Sequence, residues 1–438
     1  MGGDIVLLML GLLVFLIVLG THIGVALALC SGLGVFLILG SFEAAVSVLG
    51  NTAYEAVRKD VFAVIPLFVL MGDLISRSGA ASDLYRICDR GLKRLPGRLA
   101  IATIGGNTVF AAVTGVSIAS AAAFSRIAYP EMMRIGYKQT FALGAVAGSA
   151  CLGMLIPPSV LLIVWAILME MSVGALFIAG VIPGILLALL FIAYVMIAAI
   201  RQPEIAPAFS GELVEMTPAE SRSELIGGFG IIGLIVLVIG GIWTGFFTPT
   251  EAAGFGAIGA LLIGIIKRMS FKDFVEAIIQ AGRTTAPIMF LLITASMYSR
   301  LLAIGGAVNF IQGLFLGAGL EPWAIIALMM LVWLVLGMLI DSVSIILLTV
   351  PIFAPMGVIL GVDPLAFAIF GILVIEAGLL SPPFGLLVYT VRGSVPDETA
   401  TLGKIFKGSF PYFLLILVAA LLVLFFPFLS TWLPAAIM

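Results

Sequence analysis

Long apolar stretches recur along nearly the whole chain, and they constrain the fold more than any other feature of the sequence. A helix needs about 20 consecutive apolar residues to cross a bilayer. Only 10% of the 438 residues are charged and 62% are hydrophobic, so a water-facing shell could not cover the apolar surface. We therefore predict an all-α integral membrane protein with about ten spanning helices. The predicted spans lie near residues 5–20, 23–49, 60–76, 140–171, 174–200, 226–243, 250–266, 283–302, 363–391 and 406–435.

Two further apolar stretches are each interrupted by a small, polar centre. The first runs over about 99–128 and contains the segment from Thr114 to Ser120. The second runs over about 322–355 and contains the segment from Asp341 to Ser344. We predict that both are re-entrant helical hairpins and that the polar centres are their tips.

The distribution of Lys and Arg supports these hairpins, because basic loops stay on the cytoplasmic side of a membrane. Basic residues lie on both sides of the first stretch, in 77–98 and in 126–138, so both of its ends are predicted to be cytoplasmic. No Lys or Arg occurs between Arg300 and Arg392, so the second hairpin is predicted to enter from the outer face. This orientation places both termini outside, and the two basic residues at 58–59 oppose it.

The two halves of the chain resemble each other. The phrase from Gly153 to Ser159 and the phrase from Gly378 to Gly385 both carry a Pro-Pro pair in the middle of an apolar span. We predict a first repeat at 1–200, a polar cytoplasmic linker at 201–225 and a second repeat of opposite orientation at 226–438. Inverted repeats with broken helices are typical of secondary transporters, whose site lies at the repeat interface near the middle of the membrane.

The Pro-Pro pairs predict sites for cations. A proline removes a backbone donor and forces local unwinding, which leaves carbonyl oxygens without helical partners. In lipid this is tolerated only where the carbonyls line a wet cavity or bind something, and a sodium ion suits them because it prefers oxygen ligands. The hairpin tips add Ser and Thr hydroxyls and helix ends. Two breaks facing two tips therefore predict two similar ion sites with a solute between them.

Charged residues inside the membrane are functional candidates because burying them is costly. Asp341, at the second tip, is predicted to contact an ion or the solute. Glu376 precedes the second break and either has a similar role or stabilises exposed backbone amides. Arg300 ends a span and either meets an anionic solute or anchors the span at the membrane surface.

Other polar features have structural interpretations. Thr248, Pro249 and Glu251 fit the N-cap, the first turn and the third position of a capping box. The three cysteines are scattered and are interpreted as packing residues. His22 is the single histidine, so no histidine cluster can bind a metal.

Several short motifs occur in a fixed order along the chain. They are Ile65 to Phe68, Arg94 to Gly97, Gly115 to Ser117 with Ala121 to Ala123, Pro130 to Met132, Gly153 to Ser159, Ala179 to Gly184, Thr248 to Glu251, Val350 to Pro355, and Glu376 with Gly378 to Gly385. This ordered set resembles the large membrane (M) subunit of the TRAP transporters, the tripartite ATP-independent periplasmic transporters, over essentially the whole length.

The resemblance implies sodium-driven import, with the hairpins and broken helices moving like an elevator against a scaffold. It implies two partners, a small four-helix membrane subunit (Q) and a soluble periplasmic substrate-binding protein (P) that delivers the solute. The solute would be a small organic anion, such as a carboxylate or a sugar acid. The resemblance also implies the inner membrane of a bacterial or archaeal cell, and the paired sites imply two or more sodium ions per cycle.

The resemblance further implies which residues form the sites. Those that fit the sodium sites are Gly115, Ser117, Ser120, Gly153, Ile156, Pro157, Asp341, Ser344, Gly378, Ser381 and Pro382. Those predicted to contact the substrate are Thr114, Ser342 and Arg300. The sequence departs from the family pattern at the first tip, where a Ser-Gly-Ser-type run is common, and at Val374, where asparagine is usual.

Two alternatives remain open. A receptor-independent, sodium-coupled dicarboxylate carrier could use a similar scaffold, but such carriers tend to have Ser-Asn-Thr runs that this sequence lacks. An intramembrane enzyme would need a catalytic set such as paired aspartates or a Ser/His pair. The single histidine and the well-separated acids argue against an enzyme.

Overall fold

The computed structural model describes residues 2–58, 60–92, 95–207, 218–307, 310, 313 and 319–437, and these residues form helices and no strand. Short 3₁₀ or π turns lie at Asp60–Ala63, Cys151–Met154, Pro203–Ile205 and Val236–Gly240. The α-helices are α1 Gly2–Val18, α2 Ile23–Leu39, α3 Phe42–Arg58, α4 Val64–Arg77, α5 Ala80–Gly91, α6 Arg98–Thr114, α7 Ser117–Arg134, α8 Gln139–Ala150, α9 Val160–Leu168, α10 Val173–Arg201, α11 Pro218–Ile235, α12 Gly241–Trp243, α13 Pro249–Ile266, α14 Phe271–Ile304, α15 Pro322–Gly337, α16 Ser342–Ile359, α17 Pro364–Gly378, α18 Leu386–Ser394, α19 Leu402–Phe425 and α20 Phe428–Ile437.

Both interrupted stretches are pairs of helices in contact with each other. In the first, α6 ends at Thr114 and α7 begins at Ser117, because Gly115 adopts a left-handed conformation (φ +62°) that ends the helix. In the second, α15 ends at Gly337 and α16 begins at Ser342. The predicted positions of the two helix breaks are thus confirmed.

Both Pro-Pro segments break their helices, as predicted. The first lies between α8 and α9, where a 3₁₀ turn from Cys151 to Met154 leads into an irregular segment. The second lies between α17 and α18, and both Pro-Pro peptide bonds are cis. The carbonyl groups needed for the predicted ion sites are therefore outside regular helix.

Several helices of the described chain suit a bilayer by length and apolar composition. They are Val173–Arg201, Arg222–Trp243, Pro249–Ile266, Phe271–Ile304, Ser342–Ile359 and Leu402–Phe425. A seventh span would be the pair Val61–Arg77 and Ala80–Gly91, whose axes meet at 66°. Further apolar helices have 10–17 residues, so the number of about ten spans stays a prediction.

Three predicted spans have different bounds in the structure. The span at 23–49 is wrong, because Gly40 (φ +70°) ends α2 and a separate helix, α3, follows. The span at 406–435 is also divided, because Pro427 lacks the N–H that would continue α19. The span at 283–302 is part of α14, which begins much earlier, where Ser270 caps it by accepting from the Asp273 N–H.

The helices of the two halves pack reciprocally. Helix α2 packs against α14, and α13 packs against α4. Likewise α7 contacts α18, and α16 contacts α9, so the second arm of each hairpin touches the broken helix of the other half. Such matching contacts between equivalent helices are expected if the two halves are related. The opposite orientation of the halves stays a prediction. Part of the predicted linker, 208–217, lies outside the described residues, and α11 begins already at Pro218.

Ion pairs hold helix α5, which lies in the basic segment 77–98. Asp83 pairs with Lys267, and both side chains are nearly buried. Glu224 of α11 pairs with Arg90 and lies 3.6 Å from Arg86. Two residues of this basic segment, 93–94, lie outside the described residues. Ion pairs therefore hold helix α5 against Glu224 and Lys267 of the second half.

The predicted capping box at the start of α13 is confirmed. The Thr248 hydroxyl accepts from the Glu251 N–H at 3.3 Å, and the Glu251 carboxylate accepts from the Thr248 N–H at 2.8 Å. These reciprocal bonds satisfy two backbone donors at the helix start.

A polar cluster links the two halves at one end of the broken helices. Asp397, in the loop before α19, accepts hydrogen bonds from the Tyr129 hydroxyl and, at 2.9 Å, from the Gln139 side chain. Thr399 donates to the same carboxylate from its N–H at 2.9 Å and from its hydroxyl at 2.7 Å. Lys404 donates to the Gln139 side chain at 2.6 Å. We call these five residues the clasp.

Candidate ion and solute site

The first hairpin tip and the first break touch through their backbones. The Val160 N–H donates to the Gly115 carbonyl at 3.1 Å. A Cβ at Gly115 would lie 2.5 Å from the Pro158 carbonyl oxygen, and a Cβ at Gly153 would lie 3.0 Å from the Ser117 N. Glycine is therefore required at both positions for the tip and the break to approach so closely.

Other residues predicted for the first sodium site lie in this contact region. Ile156 and Pro157 belong to the buried break, and Ser117 is fully buried. Ser120 lies one turn into α7 and is also fully buried, and its hydroxyl has no hydrogen-bond partner among the described residues. A buried hydroxyl without a partner is costly unless something else binds it. Ser120 therefore remains a suitable cation ligand.

The second tip is organised by a carboxylate. Asp341 is the N-cap of α16 and accepts from the Ser344 N–H at 3.0 Å and from the Ser344 hydroxyl. Gly337 and Gly378 pack so closely that a Cβ on Gly337 would lie 2.7 Å from the Gly378 Cα. At the second break the Ser381 hydroxyl donates to the Gly378 carbonyl at 2.7 Å. Pro382, by contrast with Pro157, is exposed.

Glu376 joins the two tips. One of its carboxylate oxygens accepts from the Ser117 hydroxyl at 2.6 Å, and the other accepts from the Ser342 hydroxyl at 2.9 Å. Glu376 and both serines are buried. The sequence identified Glu376 as a candidate, but the interpretation that it stabilises exposed backbone amides is wrong, since its partners are side-chain hydroxyls of both hairpins.

The position of Glu376 also explains how a buried carboxylate is tolerated. Ser117 is the first residue of α7 and Ser342 is the first residue of α16, so the carboxylate lies at two helix N-termini. Each N-terminus carries roughly half a positive charge. Two helix ends and two hydroxyl donors together offset much of the cost of burying the negative charge.

Both tips line a common space, which we call the central cavity. Its volume is about 600 Å³, and its walls include Ser117, Asp341, Ser342 and Ser344. Arg283 of α14 also lines it, and no acidic or hydrogen-bonding partner holds this side chain among the described residues. Arg283 lies about 18 Å along α14 from Phe271 at 1.5 Å per residue.

Sequence reasoning missed Arg283 because it was counted with the basic cytoplasmic segment before the predicted span. The alternation of apolar and polar residues over 271–282 could have shown that Arg283 lies within a helix, since this pattern extends the helix to before the arginine.

A second cavity of about 700 Å³ adjoins the central cavity, and both are lined by Val116, Ile118 and Thr284. The predicted substrate residue Thr114 lines this second cavity. Arg126 also lies in its wall. The first tip therefore stands between two cavities.

Arg300, the third predicted substrate residue, lies elsewhere. It lines a cavity of about 350 Å³ together with Glu55 and Glu170, and neither hairpin tip contributes to that cavity. The structure thus brings Ser342 and the predicted sodium-site residues of both tips together but leaves Arg300 apart.

The chemistry of the tips suits a cation held by hydroxyl and backbone oxygens. Among the described residues, no group of three or more His, Cys, Asp or Glu side chains could hold a metal ion. His22 instead caps α2, where its Nδ1 accepts from the Gly24 N–H at 3.3 Å. Cys30 and Cys151 are buried.

A family model matches nearly the whole chain. Residues 10–429 match the DctM component of the tripartite ATP-independent periplasmic transporter. A solved structure, that of the Alcanivorax borkumensis YdaH transporter, covers 90% of this chain and 88% of its own at a TM-score of 0.62 and 15% identity. This structural likeness supports the transporter fold.

Named relatives agree with the family model. The C4-dicarboxylate TRAP transporter large permease protein DctM of Pseudomonas aeruginosa is 33% identical over 87% of this chain and 88% of its own. The sialic acid TRAP transporter large permease protein SiaM of Vibrio cholerae is 30% identical over 84% and 85%. The ectoine/5-hydroxyectoine TRAP transporter large permease protein UehC of Ruegeria pomeroyi is 27% identical over 96% of both chains. The chain therefore belongs to the tripartite ATP-independent periplasmic (TRAP) transporter family, as its large, multi-pass membrane permease that serves solute import.

Proposed function

We propose that this permease couples the inward movement of sodium ions to the import of a small organic anion delivered by a soluble receptor. The observation that carries the proposal is the central cavity, which is lined by both hairpin tips and by Arg283, an arginine that no described residue pairs with. The tips offer oxygens for cations, and the arginine offers a cation for the solute.

Two sodium sites follow from the two tip–break contacts. At the first, the ligands would come from the Gly115, Ser117, Ser120, Gly153, Ile156 and Pro157 group. At the second, they would come from the Asp341, Ser344, Gly378, Ser381 and Pro382 group. Carbonyl oxygens freed by a helix break, together with hydroxyls and one carboxylate, suit a hard cation such as sodium.

A carboxylate is the solute group that the central cavity suits. A guanidinium binds a carboxylate through strong, charge-assisted hydrogen bonds. Arg283 is exposed and has no acidic partner among the described residues, so its guanidinium is available to such a group. The Pseudomonas and Vibrio relatives are named for C4-dicarboxylates and sialic acid, which are carboxylates. Ser342 and Thr114 remain proposed solute contacts, and Arg283 takes the place of Arg300.

The partners follow from the family. The relatives are named as the large permease of a tripartite system. We therefore expect a small membrane subunit (Q) and a periplasmic substrate-binding protein (P), in the inner membrane of a bacterial or archaeal cell. The reciprocal contacts between hairpin arms and broken helices of opposite halves give a unit that could move as one body in an elevator mechanism.

Uptake into proteoliposomes tests this function. The chain is reconstituted with its small subunit, and the receptor encoded beside it is added with labelled succinate, sialic acid or ectoine. We expect uptake of a carboxylate solute that requires both an inward sodium gradient and the receptor. Equal uptake with sodium replaced by potassium would contradict sodium coupling, and uptake without any receptor would favour the stand-alone dicarboxylate carrier.

The two arginines separate the substrate assignments. Arg283→Gln should raise the solute KM by about tenfold or more, because a charge-assisted bond is lost. Arg300→Gln should change the KM less than about twofold, since its cavity contains neither tip. The opposite ranking would restore the sequence prediction for Arg300 and remove Arg283 from the site.

A further inference from the structure

Glu376 is a buried carboxylate whose two hydrogen bonds lead to different hairpins. Ser117 lies 259 positions before it in the chain, and Ser342 lies 34 positions before it. Because each oxygen of the carboxylate takes one hydroxyl, the two tips share a single rigid group. No other described side chain accepts hydrogen bonds from residues of both tips.

We propose that Glu376 couples the two ion sites, so that a sodium ion at one tip raises the affinity of the other tip. Glu376 acts as a positioning residue, because it orients both serine hydroxyls and need not touch either ion. The proposal rests on the sodium coupling proposed above, and it goes beyond that function by assigning the cooperativity to one side chain.

The hydroxyl geometry supplies the mechanism. A serine hydroxyl has one proton to donate and two lone pairs that accept. Since Ser117 and Ser342 both donate their protons to Glu376, the lone pairs of Ser117 are left for the first cation. Ser342 keeps two lone pairs, one for its proposed solute contact and one for a cation at the second tip. A cation on one oxygen polarises its O–H, strengthens the bond to the carboxylate and so fixes the position of the carboxylate that both tips share. Binding at one tip thus orders the hydroxyl of the other.

The charge of the Glu376 carboxylate also favours the binding of cations at both tips. Two cations at neighbouring tips repel each other, and a carboxylate between them offsets that repulsion. Among the described residues no Lys, Arg or His side chain forms an ion pair with Glu376. The carboxylate is therefore shared by the two tips and is not held by a protein cation.

A competing explanation is that Glu376 merely fills a polar gap between two helix N-termini. In that case its replacement would lower the amount of folded protein or the maximal rate. The number of sodium ions that act together would not change. The two explanations therefore differ in the sodium dependence of transport.

The test variant is Glu376→Gln, which keeps the shape of the side chain. Its amide oxygen can accept from one serine, but its NH₂ group must donate to the other and so occupies a lone pair there. We expect the Hill coefficient of sodium-dependent uptake to fall from about two toward one, and the half-saturating sodium concentration to rise about tenfold. Ser125→Ala is the matched control, because Ser125 is a buried serine of the same hairpin arm that is remote from both tips.

Thiol labelling gives a second measurement that does not depend on transport. Ile118 and Ile340 line the central cavity, one at each tip. Cysteine is placed singly at each position in a full-length chain whose three native cysteines are replaced by alanine. In the parent, we expect sodium to protect both positions over the same concentration range. With Glu376→Gln, the two protection curves should separate by about tenfold.

The outcomes distinguish this inference from the proposed function. If the parent takes up solute without sodium, the proposed function, sodium-coupled import, is contradicted. If the parent depends on sodium and Glu376→Gln keeps the parental Hill coefficient and coincident protection curves, the coupling role of Glu376 is overturned and sodium transport stands. A lower rate with an unchanged Hill coefficient would likewise assign Glu376 to structure alone.

Discussion

The two tip–break sites come from matching sequence motifs but are built differently. At the first site, every residue from Cys151 to Val160 is buried, and the tip backbone is bonded to the break. At the second site, the residues from Pro382 to Phe384 are exposed, with Phe384 56% accessible. The first site is thus closed by backbone contact, and the second is open at its break.

The two tips also differ in charge. Helix α7 begins after Val116, whose side chain offers no cap, whereas α16 begins after Asp341, whose carboxylate accepts two hydrogen bonds. The second tip therefore has a negatively charged N-cap, whereas the first tip has no charged cap and meets a carboxylate only through Glu376, which it shares with the second tip. Similar motifs in two repeats do not require equivalent sites, and we expect the second site to exchange its ion more readily.

The largest expected effect is that of Gly115→Ala at the closed site. The new Cβ would lie 2.5 Å from the Pro158 carbonyl oxygen at a φ of +62°, so the tip and the break would have to separate. Strain of about 2–3 kcal/mol corresponds to a fall in sodium-driven uptake of about 100-fold. Gly361→Ala is the control, since its φ of +81° is also positive but no atom lies within 4 Å of its Cβ. Similar uptake by both variants would show that the close contact is unimportant.

Asp341→Asn tests whether the open site depends on charge. Asparagine is an equally good N-cap, so α16 should keep its start. Loss of the negative charge should raise the half-saturating sodium concentration about tenfold with little change in maximal rate. Sodium titration of uptake measures both quantities. An unchanged titration would mean that the carboxylate serves only as a cap.

The serine pair gives a smaller contrast. Ser117→Ala removes a hydroxyl that lies in the closed site and bonds to Glu376, whereas Ser344→Ala removes one bonded to Asp341 while the Ser344 N–H cap remains. We expect the half-saturating sodium concentration to rise about tenfold for Ser117→Ala and about threefold for Ser344→Ala. Unchanged sodium dependence in both variants would remove these residues from the sites.

The smallest effect concerns the clasp, which joins the halves without forming part of either site. Hydrogen bonds from Tyr129 and Thr399 lower the pKa of Asp397 to about 2. A lowered pKa stabilises the fold above the ordinary value near 4, and that stabilisation is lost as pH falls from about 5 to 2. Asp397→Asn should therefore cost less than about 1 kcal/mol at neutral pH, because solvent screens the loop.

Thermal unfolding of purified parent and Asp397→Asn protein checks this expectation. The difference in melting temperature should be constant between about pH 8 and 5 and should shrink below that range. Their sodium titrations should coincide. A changed sodium dependence would mean that the clasp takes part in the sites.

The local breaks could be predicted from the sequence, but the meeting of the tips could not. Gly115 and the Pro-Pro pairs act through rules that involve only near neighbours, so the breaks lie where the sequence indicates. The bond between Ser117 and Glu376 joins residues 259 positions apart and depends on how the halves pack. The difference in exposure of the two breaks likewise has no local signal.

Two spans predicted from the sequence have different bounds in the structure, for physical reasons that composition alone does not show. A continuous apolar stretch gave a single span at 23–49, although the left-handed conformation of Gly40 divides it. The predicted span at 283–302 was made to start at Arg283, although α14 extends for 12 residues before it. Charge patterns help to assign loops, but a basic residue does not mark the start of a helix when the helix begins before it.

Binding of radioactive sodium to the purified permease in lipid nanodiscs, followed by its release on dilution into unlabelled sodium, tests the central claim most directly, because neither step needs solute or partner proteins. Paired but unequal tip–break sites predict two ions bound per chain, of which one exchanges faster than the other. Binding of one ion or none at saturating sodium would contradict the account.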